Sequence, residues 1–592
     1  MKHARFAFCL VGLGVLVAGL HCSSSDSSGF GGDGASSSSS GGSSGLLGSS
    51  GGTDGGGVVR QCSGDLQSVL DENGRVVEKC APDQGCAAGK CAPACDAAVA
   101  SKGSLGCNYV VATPSFLPSI LPPCFAVFMA NGWGKAATIT VSRGGQSFDA
   151  TKFARIPVQG QPETAWPLLT SAGLPPGEVA VLFISGDPNS QNRTPLRCPV
   201  PSAVASASAV IGTGKGSAWT IATSVPVTAY DILPYGGASS YLPSAELLYP
   251  TTAWGKNYLG VVPPAGYRDN GPFWGQIVAA EDGTSIDILP NVDLPAGTGV
   301  AAAPRNAVTK YTLNAGEYIQ FQGGGDMSGS VISSTKPVAF TGGNGYICYR
   351  SQTSTGGGCD SAHQQIPPVS AMGFDYIAAP FETRRSGNMP ESIAYRIVGA
   401  VAGTTLTYDP PITGAPPMLA SGQVVNFEAA SPFRVKSQDN AHPFYLGQMM
   451  AGCNVSNART SGLGDEEYVN MVPPAQFLNK YVFFTDPSYG TTNLALTRVK
   501  TGGAFQDVTV KCLGTVTGWK PVGGSQDYEV ATVDLVRDGT GRGSCKNGSQ
   551  VAESAGPFGV VVWGTANYAS YGYPAGGNVA PINAVVIPTV PR

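Results

Sequence analysis

Cys359-Asp360-Ser361-Ala362-His363 sets an acid, a hydroxyl and an imidazole within five residues. These are the groups of an acyl-transfer triad, but a triad is defined by spatial geometry and not by adjacency along the chain. The stretch has imperfect copies elsewhere, which offer a test. Aligned by sequence, Ser244-Ala245-Glu246 stands opposite Ser361-Ala362-His363 in one copy, and Val469 stands opposite His363 in another. The position therefore does not demand imidazole, no catalytic set recurs, and His363 reads as a structural histidine. Of the four histidines, His3 and His21 fall in the N-terminal stretch, leaving His363 and His442 for general-base or metal-ligand work. Glu281-Asp282-Gly283-Thr284-Ser285-Ile286-Asp287 lacks the ligand spacing of a calcium loop and reads as a tight turn with Asp-Gly supplying positive φ. The runs GGQSF and GGGDMSG have no accompanying Walker lysine. No catalytic, cofactor-binding or metal-binding residue is expected on these grounds. Tyr568, Tyr571 and Tyr573 could form an exposed aromatic binding patch or pack within strands.

Cysteine offers the other chemistry. Of fifteen, Cys9 and Cys22 belong to the N-terminal stretch, and thirteen remain, so at least one cannot pair within the chain. Six lie between Cys62 and Cys107 without the C-x2-C spacing of a zinc ribbon, and they are expected to pair among themselves, in any of fifteen patterns. Cys348 and Cys453 follow equivalent prolines by 11 and 10 residues. Cys348 has Cys359 across a Gly-rich loop, whereas Asp465 stands opposite Cys359 in the next copy. The expected bridges are thus Cys348–Cys359, Cys124–Cys198 and Cys512–Cys545, with Cys453 unpaired. The last two bridges rest on each pair being isolated in its own unit. A Cys107–Cys453 bridge is the rival.

The elements that must position these residues repeat. Pro226, Pro337, Pro443 and Pro557 lie 111, 106 and 114 residues apart, and Tyr258, Tyr376 and Tyr481 lie 118 and 105 apart. That period suits a small domain. Short alternating segments such as AATITVSRGG, Gln276–Ala280, Ser285–Leu289, Tyr318–Gln322, Thr404–Tyr408, Gln423–Phe427, Asp507–Lys511 and Phe558–Trp563 read as strands between Gly/Pro breaks. The expected fold is all-β, with about four sandwich-like units in tandem over 108–592, or alternatively a propeller-like arrangement, preceded by a small disulfide-rich module over 58–107. Charged residues make up 12% and the net charge is −4. Such a chain has no basic field, which argues against nucleic acid as a partner.

Residues 1–21, with Lys2, Arg5 and an apolar run from Phe6 to Leu20, read as an export signal. Followed by Cys22, the stretch resembles a bacterial lipoprotein signal, although Gly19 and His21 depart from the usual pattern. The resemblance implies lipid attachment at Cys22, and Ser23, where inner-membrane retention uses Asp, implies the outer membrane or cell surface. Residues 22–57, nearly all Ser and Gly, read as a flexible tether. Four segments, Asp326–Gly343, Cys359–Pro380, Tyr395–Pro410 and Gly556–Gly577, resemble the N-terminal domain of IgGFc-binding proteins. This resemblance implies a β-rich extracellular binding or adhesion module, with no catalytic residues to carry over and no assignment of immunoglobulin as ligand. The expected function is a lipid-anchored surface module that binds a protein or glycan and has no chemistry of its own. A secreted glycan or peptide hydrolase and a structural envelope protein are the alternatives.

Overall fold

Proline cannot donate to a β-ladder, so inside a sheet it occupies an edge or a bulge. In the computed structural model, which describes residues 60–117, 123–186, 196–235, 237–240, 242–268 and 271–590, the repeated prolines do the latter. Pro226, Pro337 and Pro557 interrupt three long strands, Trp219–Leu233, Val331–Ile347 and Gly548–Ala566, called spines here. The pairing of each slips register across its proline. In the third unit the interruption is wider and splits the spine into Phe433–Ser437 and Phe444–Met450, with Pro443 between them.

Each spine joins two halves of its unit. Its first half pairs with a leading strand: Gly106–Val111, Gly255–Leu259, Asp375–Ala378 or Leu478–Thr485. Its second half pairs with an inner strand: Ser244–Leu248, Asp360–Ile366, Glu467–Asn470 or Ala569–Pro574. All these pairings are antiparallel. The fold is all-β with four related units: sheets of eight, eight and nine strands make the first, second and fourth, and two four-stranded sheets make the third. Both halves of a unit contribute to one apolar core. In the second, Tyr258, Ile286 and Ile288 pack in the same cluster as Ile277, Phe321 and Phe340.

A tyrosine fixes each bend. Tyr258 Oη accepts the Gly255 N–H at 2.9 Å and donates to the Val338 carbonyl, just after the anchor proline, at 2.6 Å. Tyr376 does the same with Gly373 N–H and Phe444 C=O, at 2.8 and 2.9 Å. Tyr481 joins Leu478 N–H to Phe558 C=O. The first unit has the same clip in Tyr109, which donates to Val227 C=O at 2.6 Å. The two landmarks spaced along the sequence are thus two ends of one hydrogen-bonded device.

Connections between units are alike. Pro250, Pro368 and Pro473 each cap a single 3-10 turn, Thr251–Ala253, Val369–Ala371 and Pro474–Gln476. Each proline seats against a glycine in the leading region of its own unit. A Cβ on Gly106, Gly255 or Gly373 would come within 2.2, 2.4 or 2.6 Å of the Cβ of Pro250, Pro368 or Pro473. In the fourth unit the sizes are exchanged, with Leu478 against Gly576.

These caps correct the sequence alignment by one residue. Pro368, not Pro367, is equivalent to Pro473, because both cap the turn; the doubled prolines hid the slip. The residue opposite Cys359 in the third unit is therefore Gly464 and not Asp465. Those opposite His363 are Ala245 and Tyr468, not Glu246 and Val469. Cys453 still faces a unit without the second cysteine. Gly464 takes a φ of 68°, and a Cβ there would meet Met450 Sδ at 3.1 Å and Arg384 at 3.2 Å, a tight fit in a backbone conformation that favours glycine.

The cysteine-rich segment is held by Cys62–Cys86, Cys80–Cys91 and Cys95–Cys107. Cys107 lies on the leading strand of the first unit, so the third bridge ties the segment to the repeat. Leu66 and Ala94 join the first unit's core, beside Trp133 and Phe125. The short helix Ala94–Ser101 is the one α-helix among the described residues.

Candidate functional site

The inner strands carry polar side chains where spines and leading strands carry apolar ones, and they meet one another. The first packs on the second, the second on the third, the third on the fourth, and the fourth on the first. The four units therefore close into a ring, the feature that distinguishes the propeller-like alternative. On the seam between first and fourth units, Phe128 stacks on Phe484 at 4.8 Å, and Tyr230 donates to Ala575 C=O at 2.5 Å.

Glu467 sits between three inner strands. Its carboxylate accepts Ser244 Oγ–H at 3.0 Å and Ala245 N–H at 3.1 Å from the first unit, and Gly572 N–H at 3.2 Å from the fourth. It also accepts the Tyr468 N–H at 2.8 Å. Burial pushes its carboxyl well above the ordinary range, and these donors pull it back. Amides join the first three units: Gln364 Nε2 donates to Ala245 C=O at 2.9 Å, and Asn470 Nδ2 to Gln365 C=O at 2.8 Å. Ser570 Oγ accepts the Asp465 N–H at 3.3 Å and donates to the Asp465 carbonyl at 2.8 Å, joining third and fourth.

His363 lies on the second inner strand and reaches back to the first unit. Its Nε2 is 2.9 Å from Asp231 Oδ1 and 4.0 Å from Glu246 Oε1. Asp231 and Glu246 are directly opposed on the first spine and inner strand. The three residues are 2%, 0% and 2% exposed for His363, Asp231 and Glu246. Burial, then the charge on Asp231, holds the Glu246 carboxyl well above its usual range. A second acidic group, Asp360, Asp465 and Glu466, lies beside the Cys348–Cys359 bridge. Asp465 Oδ2 accepts the Cys359 N–H at 3.2 Å, and burial raises all three carboxyls.

The structure does not assemble the acid, hydroxyl and imidazole that are adjacent in sequence. Ser361 Oγ donates to Leu242 C=O at 2.6 Å, and the acid facing His363 is Asp231 rather than Asp360. His442 pairs with Asp439 at the surface, at 2.7 Å. Tyr571 and Tyr573 are buried and only Tyr568 of that trio is exposed, so they form no aromatic patch. Gly283 takes a φ of 63° in the turn after Asp282. Cys124–Cys198, Cys348–Cys359 and Cys512–Cys545 are bonded, with Cα atoms 4.7, 4.5 and 4.7 Å apart. Cys453 is free and buried. Cys22 lies outside the described residues.

Sequence reasoning passed over Asp231, Glu246 and Glu467. The available signal was an acid inside an otherwise apolar strand: VTAYDIL and SAELL each carry one, and EEYVNMV two, where alternation offers no solvent face.

A family model described as IgGFc binding protein matches residues 244–564, from the first inner strand into the fourth spine. The human IgGFc-binding protein is 25% identical over 302 residues, which cover 49% of this chain and 5% of that protein. The chain thus spans about a twentieth of the curated relative it matches. Most of the first unit precedes the matched stretch, yet it carries the same tyrosine clip and completes the same ring. The chain belongs to the IgGFc-binding protein family.

Proposed function

We propose that the protein is an exported module, tethered to a membrane surface through a lipid on Cys22, that binds a protein or glycan partner without catalysing a reaction on it. The observation that carries this reading is the closure of the ring over its own acids. Asp231, Glu246 and His363 are the grouping best suited to acid–base work, and at 0–2% exposure they meet no polymer chain. A hydrolase needs paired carboxylates in an open cleft. Family membership supports an extracellular binding role, and the name of the human relative points to a protein ligand for that protein. The six disulfides among the described residues suit an oxidising compartment. Among the described residues no helix is long and apolar enough to cross a membrane.

Two measurements test the reading. Mass spectrometry of the mature N-terminus is expected to find an acylated Cys22; an unmodified start, or a start elsewhere, rejects the anchor. The purified ectodomain on protein and glycan arrays is expected to give saturable binding with no turnover. Cleavage of a panel of glycans or peptides would establish the hydrolase reading instead. Saturable binding to no array component would favour a structural envelope protein.

A further inference from the structure

Two carboxylates directly opposite on paired strands repel, and the repulsion grows once water is removed. Asp231 and Glu246 stand in that relation, fully buried. Natural folds seldom keep such a pair without a proton or a cation between them. Three features of this site favour a cation.

The first is the third member. His363 comes from the next unit and turns Nε2 toward both acids, so that one donor atom from each of the three residues lies within 4.8 Å of the others. The second is the state of the outer oxygens. Asp231 Oδ2 and Glu246 Oε2 are buried and have no hydrogen-bond partner. The third is the contrast with Glu467 in the same ring, whose two oxygens take four donors. Asp231 Oδ2 and Glu246 Oε2 receive no such donors.

We propose that Asp231, Glu246 and His363 bind a divalent first-row transition ion, of the zinc or manganese class, that fastens the first unit to the second. One imidazole nitrogen and two carboxylates suit such ions better than calcium or magnesium, which prefer all-oxygen shells. The enclosed setting gives the ion a structural role and no substrate access. The ion neutralises the opposed charges and joins the first spine and inner strand to the second inner strand.

The test uses the full chain, unfolded with chelator and refolded with zinc, manganese or cobalt, then freed of excess ion. Elemental analysis is expected to find about one ion per chain. Cobalt is expected to give visible d–d bands. The variants H363Q and E246Q, shown by near-ultraviolet circular dichroism to be folded, are expected to lose at least nine-tenths of the bound ion. E246Q also separates the alternatives. If a shared proton holds the acids together, removing one charge leaves stability equal or higher; if an ion does, chelator destabilises the wild type and leaves E246Q unaffected. Folded wild-type protein that takes up less than a tenth of an equivalent of every ion tested overturns the proposal. So does an ion retained in both variants. If neither variant folds, the ion content of the wild type and its response to chelator decide the matter alone.

Discussion

The tyrosine clip makes a quantitative claim about what holds each unit bent. In Tyr376→Phe the ring and its packing against Phe444, at 5.0 Å, remain, and one oxygen is lost. That oxygen satisfies two backbone groups at once, the Gly373 N–H and the Phe444 C=O. The site is closed to water, Tyr376 being 2% exposed, so neither group finds a replacement. Leaving a buried donor or acceptor unsatisfied costs about 1–3 kcal/mol. The pair should therefore cost about 2–6 kcal/mol. Unfolding entropy near 2 cal/mol/K per residue gives a body of this size roughly 1 kcal/mol per kelvin, so the melting temperature should fall by about 2–6 °C. Urea denaturation followed by far-ultraviolet circular dichroism reads the energy, and calorimetry reads the temperature. Tyr258→Phe and Tyr481→Phe should match it within a factor of two, because the geometry recurs. Tyr568→Phe, at an exposed position, should change stability by less than about 0.5 kcal/mol. If Tyr376→Phe is as mild as Tyr568→Phe, the hydroxyl does not hold the bend and the account of the repeat fails.

Four further outcomes follow from the geometry. Burial raises the Asp486 carboxyl from 3.8 to about 7, so the native state holds its proton over a range where the unfolded chain has released it. This stabilisation is complete below the unfolded value and is lost as pH rises toward 7, by at most about 4 kcal/mol. Asp486→Asn, which keeps the acceptor for Ser488, should remove this component of the slope when urea midpoints are compared between pH 4.5 and 7.5. Opening Cys124–Cys198, which spans 74 residues, should cost about 4 kcal/mol, and opening Cys348–Cys359, which spans 11, about 3 kcal/mol, as measured on the paired Cys→Ser variants. Cys453, whose thiol burial pushes up to about 12, should resist iodoacetamide until the chain is unfolded. Gly255→Ala would drive a Cβ into Pro368 and should cost about 1–3 kcal/mol in the same denaturation assay, whereas an unchanged midpoint would show that the connector yields.

The repeat was legible because its landmarks are chemically costly to change. A proline at each bend and a tyrosine that must reach it leave a period in the sequence. Tyr109 escaped notice because the first unit is longer: its spine begins 108 residues beyond the leading strand, at Trp219. The exact register was not legible, since Pro367-Pro368 and Pro473-Pro474 match equally well in either frame until a turn shows which proline caps it. Cys348–Cys359, Cys124–Cys198 and Cys512–Cys545 could be paired because each pair stands isolated in its own unit, whereas the six from Cys62 to Cys107 crowd too closely for spacing to choose among fifteen patterns. The central acids were hidden for a different reason. Asp231 and His363 are 132 residues apart and meet only when two units come side by side. No local pattern encodes that meeting, and an isolated acid in an apolar strand was the one trace of it.

The closed ring also constrains how the chain reaches its native state. Seams between successive units join residues about one period apart. The seam between fourth and first units joins Gly577 to Ser104, across 473 residues. Closing that longer loop adds about 1.3 kcal/mol of chain entropy over a 110-residue closure, so it is expected to come last. Until it forms, the first and third inner strands lie open where the fourth belongs. At high concentration a neighbouring chain offers the same fourth unit at no greater entropic disadvantage. Refolding is therefore expected to divide between closed monomers and chains that have exchanged their last unit, in a ratio set by dilution and read by size-exclusion chromatography.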